Sequence, residues 1–438
     1  MNYLPIIDFI RSLYPNRDFI PLHEPHFGGN EKKYLADCVD STFVSSVGKY
    51  VDRFEEMNRD FTGAKYAIAT VNGTAALHIA LKLVGVEQGD MVITQPLTFI
   101  ATCNAISYCG AEPVFVDIDR DTLGMSPESL EAWLAANTVI EDGVSYYLPR
   151  MGTNERSRIN TNRAQEQGQK NFIEQNANIA DNNKVLSQTS NSPLVDISDL
   201  SLVPIRGRQK ISACVPMHTF GHPCRIDRIV EICNRYHIPV VEDSAESLGS
   251  YYIDQHTGTF GKLGILSFNG NKTITTGGGG MIITNDDVLG PLAKHITTTA
   301  KKPHPWKFEH DMIGFNYRMP NVNAALGCAQ MERLTEILAN KRETAARYAE
   351  FFASMEGVKY IQEPSDSVSN YWLNVLLLND LEQREEFLKQ SNENKVMTRP
   401  AWILMPELSM FKAAVCADLC VSMDIASRLV NIPSSVRE

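Results

Sequence analysis

The sequence predicts an α/β protein built on a parallel sheet, and three observations carry that expectation. Apolar runs of strand length alternate with segments of helical spacing from Lys65 onward, the same alternation resumes at Ile211, and from about Asn316 the chain turns helix-rich.

Taken in order, Lys65 to Val71 reads as a strand, and Leu77, Leu81 and Val84 give Thr74 to Val84 one apolar helical face. Met91 to Gln95 is a second strand, Thr98 to Cys109 a helix and Pro113 to Val116 a third strand. Ile211 to Met217 is again a strand, and Asp227 is placed to cap a helix running to Tyr236. Ile238 to Val241, Gly264 to Phe268 and Gly280 to Thr284 complete the strands, and a long polar helix passes through Arg342 and Arg347. This organisation gives an N-terminal arm at 1–30, a large domain at 31–315 and a smaller C-terminal domain at 316–438. Residues 151–192 interrupt it: they are crowded with Asn and Gln and poor in apolar side chains, a composition that cannot offset its ordering entropy. They are expected to form a mobile surface insertion.

Composition narrows the function. A chain of 438 residues, 43% of them hydrophobic, can bury a large core. A net charge of −11 argues against nucleic-acid and anionic-membrane partners and leaves small molecules. Nine cysteines without a C-x-x-C pair suggest neither a zinc ribbon nor a disulfide framework, and no metal is expected. The N-terminus lacks the pattern of a secretory leader, and no apolar run reaches membrane-span length. A soluble, cytoplasmic protein is the expectation.

Three segments carry chemistry. In Val71-Asn-Gly-Thr-Ala-Ala-Leu77 a strand ends, Gly73 allows a tight turn and a helix begins at Thr74. The unpaired amides of Thr74 and Ala75 and the positive end of the helix dipole then suit a phosphate, although many such junctions serve packing alone. Asp243 ends an apolar strand at the carboxyl edge of a parallel sheet, where open α/β folds place ligand groups. There it either holds a protonated ring nitrogen or caps the next turn. Lys272 follows the strand Gly264 to Phe268, next to Ser267, whose hydroxyl can reach a phosphate, and ahead of four glycines at 277–280. A lysine able to form a Schiff base and an acid able to keep a pyridinium charged are the two groups that pyridoxal phosphate chemistry needs. The glycines precede a strand instead of opening a helix, which rejects a dinucleotide-binding fingerprint.

Together with Gln-Pro-Leu-Thr-Phe-Ile-Ala-Thr at 95–102, Glu-Asp-Ser-Ala-Glu-Ser-Leu-Gly at 242–249 and Gly-Phe-Asn-Tyr-Arg-Met-Pro at 314–320, these segments give the chain a family likeness from Pro21 to Arg437, the insertion excepted. It resembles the DegT/DnrJ/EryC1/StrS sugar aminotransferases, and within them the LegC-like enzymes of legionaminic acid or bacillosamine-type pathways. The resemblance implies the fold type I (aspartate aminotransferase-like) architecture, a large domain on a mixed, mostly parallel sheet with a smaller C-terminal α/β domain, and pyridoxal 5'-phosphate as cofactor. It implies that Lys272 binds the cofactor, Asp243 pairs with the ring nitrogen, and Phe99 stacks on one ring face while Ala245 lets the ring lie flat on the other. Ser267 with the Gly73-Thr74-Ala75 turn would hold the phosphate, and Asn316 would reach the phosphate in a neighbouring subunit, which implies a homodimer. Glu246 stands where relatives often have Gln or His, near the cofactor's phenolic oxygen. Trp306, His310 and Arg318 lie near motifs that face the sugar nucleotide in relatives, with a core aromatic or structural ion pair as the alternative. The implied reaction is ping-pong transfer of an amino group, from glutamate by analogy, to C4 of a nucleotide-linked 4-keto-6-deoxy sugar. Relatives that dehydrate sugars carry His in place of Lys272, so the lysine favours amination; a non-catalytic scaffold is the competing reading.

Overall fold

The computed structural model describes residues 2–148 and 208–438. The expectation for 151–192 lies outside the described residues. Among the described residues, eleven strands precede the C-terminal unit: β1 (Tyr66–Thr70), β2 (Met91–Thr94), β3 (Glu112–Phe115), β4 (Thr138–Glu141), β5 (Val144–Tyr147), β6 (Ile211–Val215), β7 (Val241–Asp243), β8 (Tyr251–Tyr252), β9 (Gln255–His256), β10 (Leu263–Ser267) and β11 (Gly280–Thr284).

The central sheet has two halves, ordered β1-β11-β10-β7 and β6-β2-β3, the second extended by Val415–Cys416. Parallel bridges Cys214↔Val240 and Met217↔Asp243 join them between β6 and β7. β2, β3 and β6 pair in parallel, as do β7 and β10. β11 makes the sheet mixed, as the fold type I resemblance implies: it runs antiparallel to both β1 and β10. The physical reason is the connection. Residues 268–279 form a glycine-rich loop with no helix, and without a crossover helix the chain can only fold back beside the strand it has left. That loop carries Lys272.

Both sheet faces are covered. In β11, Met281 and Ile283 pack with Phe54, Phe268 and Cys328 on one face, while Ile282 packs with Leu77, Ile106 and Ile265 on the other, following the two-residue strand period. The helices Gly73–Leu83, Ile100–Tyr108 and Leu289–Thr297 contribute to the second face; Lys49–Thr62 and Asn321–Met331 cover the first. Asn321–Met331, expected in the smaller domain, therefore belongs by its packing to the large sheet. Asp227 lies in the first turn of the helix Ile226–Arg235 and not at its cap, which is Arg225.

The C-terminal unit is an antiparallel sheet of Val358–Ile361, Asn374–Leu378, Leu429–Ile432 and Arg399–Pro400, packed on the long helix Leu334–Phe352. The N-terminal segment is not a free arm. Leu4–Leu13 is a helix whose Ile6, Ile7, Ile10 and Leu13 are buried against Tyr348, Phe352, Leu376 and Val430, because its apolar residues recur at helical spacing and need a partner face. Ile20 then exchanges backbone hydrogen bonds with Lys395 and Met397. Among the described residues no helix is long and apolar enough to cross a membrane. Ile10→Ala is expected to cost about 2–5 kcal/mol in urea unfolding, since it empties a fully buried site between the chain's two ends; a free arm would lose almost nothing.

Candidate active site

Register places the chemistry. Ile265 of β10 pairs with Asp243 of β7, so Asp243 and Ser267 both end at the carboxyl edge of the sheet, and the 268–279 loop bends over that edge. Alternation along β7 turns Glu242 away from Asp243. Glu242 accepts the N–H groups of Gly258, Phe260 and Gly261, each at 2.7 Å, and faces His218 Nε2 at 3.0 Å. Asp243 faces a cavity of about 300 Å3, which Gly73, Thr74, Phe99, Ala245, Glu246, Ser267 and Lys272 also line. Eight of the expected residues thus converge.

Asp243 is 3% exposed. Its Oδ2 accepts from Thr102 Oγ1 at 2.7 Å and its Oδ1 from the Ala245 N–H at 3.2 Å. Burial raises its pKa, opposed by those two donors and by the charges of Lys272 and His218. A cationic ring nitrogen at this edge would add the counter-charge that a buried carboxylate needs. Lys272 Nζ lies 3.1 Å from Glu246 Oε1 and 4.0 Å from the centre of the Trp372 ring. Glu246 Oε2 accepts the Phe220 N–H at 2.9 Å. Burial pushes the Glu246 carboxyl up to about 7, with Lys272 and the Phe220 N–H pulling it the other way.

At the start of the helix Gly73–Leu83 the structure differs from expectation in one detail. The Ala75 N–H donates to Asn72 Oδ1 at 2.8 Å, because Asn72 is the N-cap and its side chain reaches the third amide of the helix. The amides of Gly73 and Thr74 are left as the donors facing the cavity, beside Ser267. The turn fits only because Gly73 and Gly280 lack side chains: a Cβ on Gly280 would stand 2.4 Å from the Asn72 backbone, and one on Gly73 would stand 3.1 Å from Ser267 Cβ. A cradle of two amides and a hydroxyl at a helix N-terminus has the chemistry to hold a phosphate.

Four expected residues lie elsewhere in the chain. Asn316 is exposed, with its backbone bridged to Thr298. Trp306 is exposed, and His310 Nδ1 is 2.8 Å from the Thr299 carbonyl oxygen. Arg318 lines a separate hollow with Ser46, Gly48 and Thr298. Conversely, Asn269, Asn271, Trp372 and Trp402 line the cavity without having been singled out from the sequence. Phe99 is half-exposed to that cavity, with the Trp402 ring set edge-on at 6.0 Å.

A mixed sheet flanked by helices, with a lysine loop folded over the edge that presents a buried aspartate and a phosphate cradle, defines a pyridoxal-phosphate-dependent transferase of fold type I. The chain belongs to the DegT/DnrJ/EryC1/StrS aminotransferase family, whose model matches residues 25–143 and 176–437. It is 32% identical over 416 residues to the GDP-perosamine synthase of Escherichia coli O157:H7, covering 95% of this chain and 93% of that one. The GDP-perosamine synthase of Vibrio cholerae is 30% identical over 421 residues, covering 95% and 94%. Among solved structures, the aminotransferase TlmJ from Streptoalloteichus hindustanus superposes with a TM-score of 0.74 at 21% identity, covering 95% of this chain and 93% of that one. The enzyme is a sugar aminotransferase that uses pyridoxal phosphate.

Because the folded Glu246 carboxyl binds its proton more tightly than an ordinary glutamate, its contribution to stability falls as pH rises from about 4.5 to about 7. Glu246→Gln lacks that group. In the cofactor-free protein the stability of Glu246→Gln relative to wild type should therefore increase across this window, as read by chemical unfolding at stepped pH; a difference independent of pH would contradict the assignment.

Proposed function

We propose that the chain moves an amino group from glutamate to C4 of a UDP- or GDP-linked 4-keto-6-deoxy hexose in two half-reactions, as the LegC-like enzymes do. The observation that carries this reading is the Lys272 amine standing in one cavity with a buried aspartate, beside an acid poised near neutrality. The GDP-perosamine synthases among the relatives support a nucleotide-linked sugar as the acceptor.

When bound, pyridoxal phosphate supplies an aldehyde carbon that can carry the amino group and a ring that accepts electrons from the neighbouring carbon. The chain's residues do the remainder. Asp243 would hold a proton on the ring nitrogen, and Thr102 and the Ala245 N–H hold Asp243 in place. Gly73, Thr74 and Ser267 would grip the phosphate, and Phe99 and Ala245 line the cavity that would take the ring. Lys272 Nζ would hold the cofactor, and as a free amine it would serve as the base and acid that moves the proton of the donor carbon. Glu246, in hydrogen-bond reach of that nitrogen, takes up or returns the proton that the amine gains or loses. The donor leaves as its keto acid and the sugar ketone becomes an amine, so no external oxidant or reductant is consumed.

A homodimer completes this reading, with Asn316 of each protomer directed to the other's phosphate cradle. Exposed apolar side chains at Trp306, Phe308 and Ile313, just ahead of Asn316, support a protein partner on that side. No metal enters the scheme, and the cytoplasm is the proposed compartment.

Incubation with glutamate and a panel of 4-keto nucleotide sugars, read by mass spectrometry, should yield one 4-amino product together with 2-oxoglutarate. Lys272→Ala should abolish product, and Asp243→Asn should slow turnover by roughly a hundredfold or more, the scale of losing one preorganised charge. Undiminished turnover by Lys272→Ala would refute the proposal.

A further inference from the structure

The C-terminal unit reaches the cavity with Trp402 and with the turn Ser369 to Trp372, and that turn is strained. Tyr371 has φ of +46°, a left-handed conformation that a bulky side chain adopts only when its surroundings impose it. Here they do. The Tyr371 N–H donates to Ser369 Oγ at 3.1 Å, and its hydroxyl accepts the Glu363 N–H at 3.0 Å.

Asn370 is the fastening. Its Nδ2 reaches the Glu246 carbonyl at 2.8 Å and Thr273 Oγ1 at 3.2 Å, and its Oδ1 accepts the Trp372 N–H at 2.8 Å. One amide thus ties together the backbone of Glu246, the residue after Lys272, and Trp372. Gly221 leaves the room for it, since a Cβ there would stand 1.9 Å from Asn370 Oδ1. Phe220, also at positive φ (+58°), presents its N–H to Glu246 from the facing side. Two strained non-glycine residues therefore converge on the Lys272–Glu246 pair.

Trp372 is fixed through its ring and through its backbone. Trp372 Nε1 donates to the Asn271 carbonyl at 2.6 Å, and the Trp372 carbonyl accepts from the buried Lys341 Nζ at 3.3 Å. With the ring edge occupied, its face is turned to Lys272 Nζ at 4.0 Å. An ammonium over an aromatic face is attracted by the ring quadrupole, and that attraction strengthens where water is excluded; the Lys272 side chain is 12% exposed.

We infer that Trp372 is the positioning residue for Lys272: the strained turn presents its ring face to the amine and holds that amine against Glu246 whenever it is not joined to the cofactor. This rests on Lys272 as the attachment point. The consequence is a lysine that cannot swing away between half-reactions, so the effect falls on the proton-transfer steps and not on sugar affinity.

The test uses purified holoenzyme with two substitutions. Trp372→Met keeps apolar bulk but has no ring face; Trp372→Phe keeps a face. Trp372→Met is expected to lower kcat about tenfold or more with KM for the sugar within about twofold, and Trp372→Phe to recover all but about threefold of the loss. In holoenzyme loaded with pyridoxamine phosphate, where the Lys272 amine is free, acylation of Lys272 read by peptide mass mapping should be several-fold faster in the Met variant than in wild type and close to wild type in the Phe variant, because the amine has lost its platform. A Met variant with wild-type kcat and wild-type Lys272 labelling, altered only in melting temperature, would reduce Trp372 to packing and overturn the inference. If the visible band survives Lys272→Ala, the attachment point itself is wrong; if it is lost there while Trp372→Met behaves as wild type, the inference about Trp372 alone fails.

Discussion

The pairing of Ile265 with Asp243 is the constraint on which the rest depends. It fixes how far β7 and β10 extend toward the carboxyl edge, and so sets Ser267 two residues beyond the level of Asp243 at that edge. The chain then turns back as β11 instead of crossing over, which keeps the 268–279 loop above the strand it has left and delivers Lys272 to the same edge. Shift this register by one residue and Asp243 would point to the face where Glu242 now anchors the 258–261 loop.

The site concentrates ionisable groups that an apolar interior resists. Asp243 and Glu246 are almost fully buried, and burial raises both toward the neutral form. Donors oppose that drift: Thr102 and the Ala245 amide at Asp243, Lys272 and the Phe220 amide at Glu246. The two acids are held in different balances. Asp243 faces the cavity, whereas Glu246, pushed up to about 7 by burial, stands within hydrogen-bond reach of the Lys272 amine.

Much of this was legible in the residues. Asp243 and Ser267 end strands, and Gly73 and Lys272 lie in the connections that follow strands, which can be read from apolar runs and the turns that stop them. The direction of β11 could not be read from its apolar run, since Met-Ile-Ile has the same pattern either way; the signal was the short, glycine-rich connection before it. Trp372 and Trp402 left no local trace, because they enter from a unit far along the chain and only tertiary packing brings them to Lys272. The apolar spacing of Ile6, Ile7 and Ile10 was present in the sequence, but the surface it needs lies near the opposite terminus, so an arm was expected where a packed helix stands. Ala75 shows a subtler limit: the amide was placed correctly at a helix start, and Asn72 three residues earlier satisfies it.

If Lys272 Nζ is the amine that holds the cofactor opposite Asp243, borohydride reduction of the purified holoenzyme followed by peptide mass mapping will find a stable pyridoxyl adduct on the peptide containing Lys272; an adduct on another lysine, or none, would contradict that assignment.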